Sequence, residues 1–209
     1  IEGVYASREG GPGGVNSLSV RGAEPNFTVV LIDGVAVNDP TNTRGGSFDL
    51  STLSSSTVRR VELVKGPRSL AYGSDALAGV VKLFTAPAPA QVSGVKMLVE
   101  AQEFGAHRRA VEGVLAGGGQ VLSLQGSRED SGKIWQGSER SLQEFTAHYR
   151  VDYERFNFQM GARVADFEKW AFPEQSGGPE LAQSPARDHS EGEDQTAYFA
   201  ANIDLMDNW

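Results

Sequence analysis

The apolar positions of this chain change period near its middle. Up to Thr85 they fall in short runs closed by Gly, Asp or Pro: "SLSVRG" (Ser17 to Gly22), "FTVVLIDG" (Phe27 to Gly34), "STVRRVELVKG" (Ser56 to Gly66) and "GVVKLFT" (Gly79 to Thr85). Their β-branched content and turn-forming ends predict the strands of a small mixed sheet. "DLSTLSS", Asp49 to Ser55, predicts a short helix with Asp49 as its N-cap. "APAPAQ", Ala86 to Gln91, has the composition of a stiff boundary. The first half therefore reads as a compact α+β unit rich in turns.

Beyond that boundary the period is two. Phe145, Ala147, Tyr149, Val151 and Tyr153 share one face, and Thr146, His148, Arg150 and Asp152 share the other. Phe156, Phe158, Met160, Ala162 and Val164 repeat the pattern, as do Ala197, Phe199, Ala201, Ile203 and Leu205. Weaker alternation runs through Val95 to Ala101, Arg109 to Leu115 and Val121 to Arg128. This predicts about six antiparallel strands, longer than the usual 5 to 6 residues of globular proteins. Phe104, Phe145, Tyr153, Phe156 and Tyr198 lie towards strand ends, where a bilayer interface favours aromatics. Connections alternate between short (Gly117 to Gly119, Tyr153 to Arg155) and long (Glu129 to Ser141, Ala165 to Gln195). That is the habit of membrane barrels, with the hairpin near Gly105 as a short exception. A soluble β-domain with one face on a core and one in water would alternate in the same way.

Composition narrows the chemistry. The 209 residues carry a formal charge of -8, which argues against a nucleic-acid partner. There is no cysteine, hence no disulfide framework and no thiolate metal site. The longest apolar stretch, Phe27 to Ile32, falls far short of the roughly 20 residues of a membrane-spanning helix, although a barrel strand needs about 9 to 11. The glycines of "VELVKGPRSLAYGSDALAGVV" do not form a phosphate loop, since Gly73 is followed by Ser74-Asp75 rather than Lys-Ser. "GGPGG", Gly10 to Gly14, lacks a third glycine at dinucleotide spacing. His107, His148 and His189 are far apart, and His148 on the polar strand face reads as solvated. Glu174, Glu180, Asp188, Glu191, Glu193 and Asp194 form an acidic loop that calcium would accept, although such loops are more often simply hydrated. No catalytic constellation, cofactor site or metal site emerges.

"REGGPGGVNSLSVRG", "VVLIDGVAVND", "VRRVELVKGPRSLAYGSDALAGVV" and a closing "FT" occur in this order. Together they resemble the plug domain of TonB-dependent outer-membrane receptors, and most nearly that of the cobalamin-receptor-like subgroup. Ala78, Lys82 and Lys65 depart from the family's usual Gly, Asn and Arg. The resemblance implies an α+β plug over 1–88 without its N-terminal part, then the first strands of an antiparallel transmembrane β-barrel over 92–209. The chain would be a truncated fragment of a 22-strand-type barrel, because six strands cannot close in lipid. It further implies a receptor in the outer membrane of a diderm, Gram-negative-type bacterium. That receptor would import a small-molecule or metal-chelate ligand of the cobalamin, siderophore or haem class. A TonB-type energy-transducing complex would engage it through an N-terminal box missing here. A soluble or secreted β-rich binding module is the alternative.

Arg8, Asn16, Asn38, Asp39, Asn42 and Arg44 match ligand-facing plug loops, with ordinary turn chemistry as the competing role. Arg21 and Lys65 match cations that lock plug to barrel, with partners expected in the missing barrel. Asp33-Gly34 is expected to turn a hairpin. Gly66-Pro67 is expected to end a strand, Gly73 to turn the chain, and Gly79 to let neighbouring strands approach. Glu62 is expected to pair with a nearby arginine.

Overall fold

A computed structural model describes residues 2–41, 45–88, 92–133, 137–172 and 186–204. The first assembly is a hairpin, β1 (Val4–Arg8) paired antiparallel with β2 (Asn16–Val20). The second is a sheet of β3 (Thr28–Ile32), β4 (Val35–Ala36), β5 (Arg60–Lys65) and β6 (Gly79–Phe84), in the order β4-β3-β6-β5. β3 and β6 run parallel, and the other pairs are antiparallel.

Every residue of β3 is buried. Val30, Ile32, Phe48, Leu53, Val81 and Leu83 form one apolar cluster. Val29, Leu31, Ala76 and Val80 form another, with Val64 and Tyr72 packed on it. A strand covered on both faces reads as a continuous apolar run, which explains the lack of alternation in "VVLI". The helical content is slight. The predicted helix after Asp49 is a single 3-10 turn, Leu50–Thr52, and Asp49 caps it by accepting from Ser51 N. One α-turn, α1 (Ser69–Tyr72), ends at Gly73.

The turns follow local chemistry. Asp33 and Gly34 join β3 to β4 with φ of 48° and 92°, the positive angles a two-residue hairpin turn demands. Asp33 also accepts from Thr85 N at 2.9 Å, tying the hairpin to the end of β6. β5 ends at Lys65, and Gly66 N donates to Ala78 O across the following loop that begins with Pro67. Gly79 serves close approach, because a Cβ there would lie 2.7 Å from Val64 O. Glu62 pairs with Arg60 at 3.1 Å on the exposed side of β5.

The third assembly is a six-stranded antiparallel meander in chain order. It comprises β7 (Gly94–Ala101), β8 (His107–Gly117), β9 (Gln120–Asp130), β10 (Glu139–Tyr153), β11 (Phe156–Ala171) and β12 (Asp188–Ile203). The last two strands run 16 residues each, beyond their alternating segments. Much of the stretch expected as a loop from Ala165 to Gln195 is therefore strand. Asp188, Glu191, Glu193 and Asp194 lie on β12, and Glu174 and Glu180 fall outside the described residues. Both faces are polar at this end, so the period-two signal disappears there while the backbone ladder continues.

One face of the meander exposes Met97, Val111, Leu124, Phe145, Met160 and Phe199. The other buries Glu112, Glu129, Glu144, Thr146, Arg163 and Lys169 against the first two assemblies. Tyr198 belongs to the inner face, where its hydroxyl lies 3.3 Å from His148 Nδ1, and so is not part of an aromatic girdle.

Gly79→Ala should destabilise the chain by about 1 to 3 kcal/mol through overpacking. Gly94→Ala, where an added Cβ meets nothing within 4 Å, should stay within about 0.5 kcal/mol. Urea-unfolding midpoints of the two variants check the contrast.

Candidate functional site: the interface between the small sheet and the strand wall

The segment Asp49 to Thr57 carries hydroxyls at Ser51, Thr52, Ser54, Ser55, Ser56 and Thr57. The 3-10 turn and the bends after it leave backbone groups without sheet partners, and the inner wall supplies them. Glu144 accepts from Ser54 N at 2.9 Å and from Thr57 Oγ1 at 2.5 Å. Glu129 accepts from Ser54 Oγ at 2.6 Å. Arg163 donates to Thr52 O at 2.6 Å, and Arg140 donates to Ser51 O at 2.7 Å. Gln125 donates to Ser56 O at 2.8 Å. Lys169 reaches Asp49 Oδ2 at 2.5 Å, while Asp49 Oδ1 accepts from Asn16 N at 2.9 Å.

The wall residues neutralise one another. Arg163 lies 3.2 Å from Glu144, their side chains 3% and 0% exposed. Arg140 and Arg108 lie 2.6 and 3.0 Å from Glu129. A second cluster sits where β6 leaves the small sheet. There Arg59 pairs with Glu112 and donates to Thr85 O at 2.9 Å. Burial pushes the Arg59 guanidinium below its ordinary pKa, and the Glu112 carboxylate beside it favours the charged form. Thr85 Oγ1 bonds Asp33 and lies 3.0 Å from His148 Nε2. His148 is therefore buried beneath the small sheet rather than solvated.

A third contact closes the opposite end. Ser138 Oγ accepts from Gly13 N at 2.9 Å and donates to Gly10 O at 2.7 Å. The approach is close enough that a Cβ on Gly13 would stand 1.9 Å from Trp170 O. "GGPGG" is thus a backbone-to-wall contact. The interface is largely polar, with Leu142 and Ala165 as buried apolar residues on the same inner face. Charge-assisted bonds hold it firmly, yet water can replace each of them when it opens.

Comparison with known proteins places this arrangement. Residues 1–80 match the TonB-dependent receptor plug domain. Over that segment, the hairpin and the small sheet, the chain is similar to the plug of TonB-dependent receptors. Over 91 residues, 44% of the chain, it is 37% identical to the vitamin B12 transporter BtuB of Vibrio vulnificus (strain YJ016), and it spans 14% of that relative's length. Its fold superposes on the unliganded ferric citrate transporter FecA with a TM-score of 0.74 at 18% identity, over 98% of this chain and 33% of that one. The FrpB iron transporter of Neisseria meningitidis gives 0.75 at 13% identity, over 98% and 34%.

In this structure the candidate ligand residues divide between two clefts. Arg8 and Asn16, joined by a 3.3 Å hydrogen bond, line a cleft of about 780 Å3 with His107, Asp130 and Arg140. Asn38 and Asp39 border another of about 520 Å3, with Phe167 and Glu193 across it. The Asn38 amide is committed to backbone: it accepts from Val30 N and donates to Thr28 O and Gly46 O at 2.7 to 3.0 Å. Asp39 caps Thr41 N at 2.8 Å. These contacts are the turn chemistry weighed against ligand binding. Asn42 and Arg44 lie outside the described residues. Arg21 and Lys65 each lie beside Gly3, and Lys65 donates to Glu2 O. Among the described residues neither forms an ion pair with the strand wall.

Glu129, Glu144, Arg140, Arg163 and Ser138 escaped the sequence reading. Their available signal was charge on the inner parity of alternating strands, opposite a Ser/Thr run that needed acceptors and donors.

Glu144→Ala should cost about 3 kcal/mol by stranding Arg163 and two plug donors, speeding amide exchange in 49–57 on the order of 100-fold. Arg60→Ala, which breaks a pair with side chains 62% and 42% exposed, should change that exchange little. Hydrogen exchange with mass readout compares the two.

Proposed function

We propose that this chain is the plug, over 1–88, and the opening barrel strands, over 92–209, of a TonB-dependent importer. The whole receptor carries a scarce metal chelate across the outer membrane. The observation that carries the reading is the polar, internally neutralised contact between plug segment 49–57 and the wall. It seats the plug without a greasy core between the two parts, so a pull on the plug separates groups that water can satisfy. The exposed apolar face of the strands suits lipid, and this favours the membrane reading over a soluble binding module.

The proposed cargo is a corrinoid of the cobalamin class, on the strength of the relative sharing 37% identity. Siderophores and haem are the competing cargoes. The ligand would enter by the outer cleft beside Arg8 and Asn16, and an inner-membrane TonB-type complex would act through an N-terminal box. Arg21 and Lys65 would lock the plug to strands beyond β12. The barrel would close at about 22 strands.

The test is uptake by a strain lacking its own receptors and carrying the full-length gene. Labelled cobalamin should accumulate in a TonB-dependent manner, while ferric siderophores and haem should not. Uptake of a siderophore or haem instead reassigns the cargo, and no uptake of any of them sinks the importer reading.

A further inference from the structure

Arg109 on β8 and Arg128 on β9 stand directly opposite each other. Both are exposed on the outward face of the wall. Like charges at opposed positions of an antiparallel pair repel. Their sequence neighbours Arg108 and Glu129 point inward and pair with each other at 3.0 Å. Arg109 and Arg128 have no such partner among the described residues. Gln143 stands opposite Arg128 on β10, so a third polar side chain continues the row.

The pair sits where the outward face changes character. Towards the short turns the next outward position is Val111, opposite Gly126, which in turn faces Phe145. Two positions further Gly113 lies opposite Leu124 and Val95. A Cβ at Gly113 or Gly126 would meet nothing within 4 Å, so both glycines leave open notches. Gly113 opens into an apolar groove of about 450 Å3 with Val95, Leu115, Leu122 and Leu124. From Arg109 to Gly113 is roughly 13 Å at the rise of a β-strand. An acyl chain whose headgroup sits on the arginines would span it. The longer connections, β9 to β10 and β11 to β12, lie at the arginine end, the outer side of barrels of this kind, and the hairpin at Gly105 is the short exception there.

We propose that Arg109 and Arg128 form a clamp for the phosphate of an outer-leaflet lipid headgroup, with an acyl chain of that lipid lying over Gly126 and Gly113. The bound anion relieves the repulsion between two guanidiniums, each of which offers donors in a fixed fork suited to phosphate. The site rests on the barrel reading, because that reading puts this face in lipid.

The experiment folds the full-length receptor into phosphatidylcholine vesicles with and without phosphatidic acid and follows thermal unfolding. Phosphatidic acid should raise the unfolding temperature of the unmodified receptor. R109Q/R128Q should lose that rise, with apparent lipid affinity falling about fivefold per arginine removed. G126L, which keeps both charges and fills the notch, should also weaken the response. R109Q alone should show half the effect, so the test survives if the double variant does not fold. Equal stabilisation of the unmodified receptor and R109Q overturns the site. Stabilisation by inorganic phosphate in plain phosphatidylcholine would reassign it to a free anion and overturn the lipid clamp. Recovery of the receptor in the outer-membrane fraction tests the barrel reading separately. A receptor that inserts there but ignores phosphatidic acid overturns the clamp alone.

Discussion

Two carboxylates on the inner wall, Glu129 and Glu144, organise the rest of the molecule. A charge with side-chain exposure of 0%, as at Glu144, is tolerable only if its oxygens are fully engaged. Arg163 engages one of them, and the plug's Ser54 N and Thr57 Oγ1 complete the set. Glu129 repeats the device with Arg108, Arg140 and Ser54 Oγ. Seating the plug and satisfying the wall are therefore one event. The register of β9, β10 and β11 follows from it, since a one-residue slip would turn these charges outward.

Why the plug needs polar seating follows from what surrounds it. The outward face of the strands is apolar over most of its height. If the inward face were apolar too, plug and wall would merge into one core that no modest pull could part. Instead the apolar residues of the plug are gathered about its own sheet, around Ile32 and Val80. The plug keeps its own core and its attachment is made of exchangeable bonds. Near β6, Arg59, Thr85 and His148 form a second attachment, and "GGPGG" against Ser138 forms a third. The three contacts lie at different heights, so they need not release together.

Much of this was legible in the sequence, for stated physical reasons. β3, β5 and β6 stood out because β-branched runs between turn residues have few other uses. The meander stood out where one face is apolar and the other polar. Legibility failed where both faces are polar, at the outer ends of β11 and β12, and where a strand is very short, as in β4. It failed more deeply at the interface. Arg163 and Lys169 look like ordinary polar-face residues until the partner surface is known, and a lone histidine such as His148 gives no hint that a threonine 63 residues away covers it. The "STLSSST" run announced only a cap, and Asp49 does provide it. That the same run is the seat of the plug depends on residues far along the chain, which period and propensity cannot register.

If the chain is part of an importer, as proposed, segment 49–57 must leave the wall for ligand to pass. Residues 1–209 hold no cysteine, so a pair introduced at Ser56 and Gln125, whose amide donates to Ser56 O, would be the sole thiols of this segment. The decisive measurement is ligand uptake by the full-length S56C/Q125C receptor, oxidised and then reduced. The account predicts uptake abolished by the disulfide and restored by reductant. Undiminished uptake with the disulfide fully formed would contradict it.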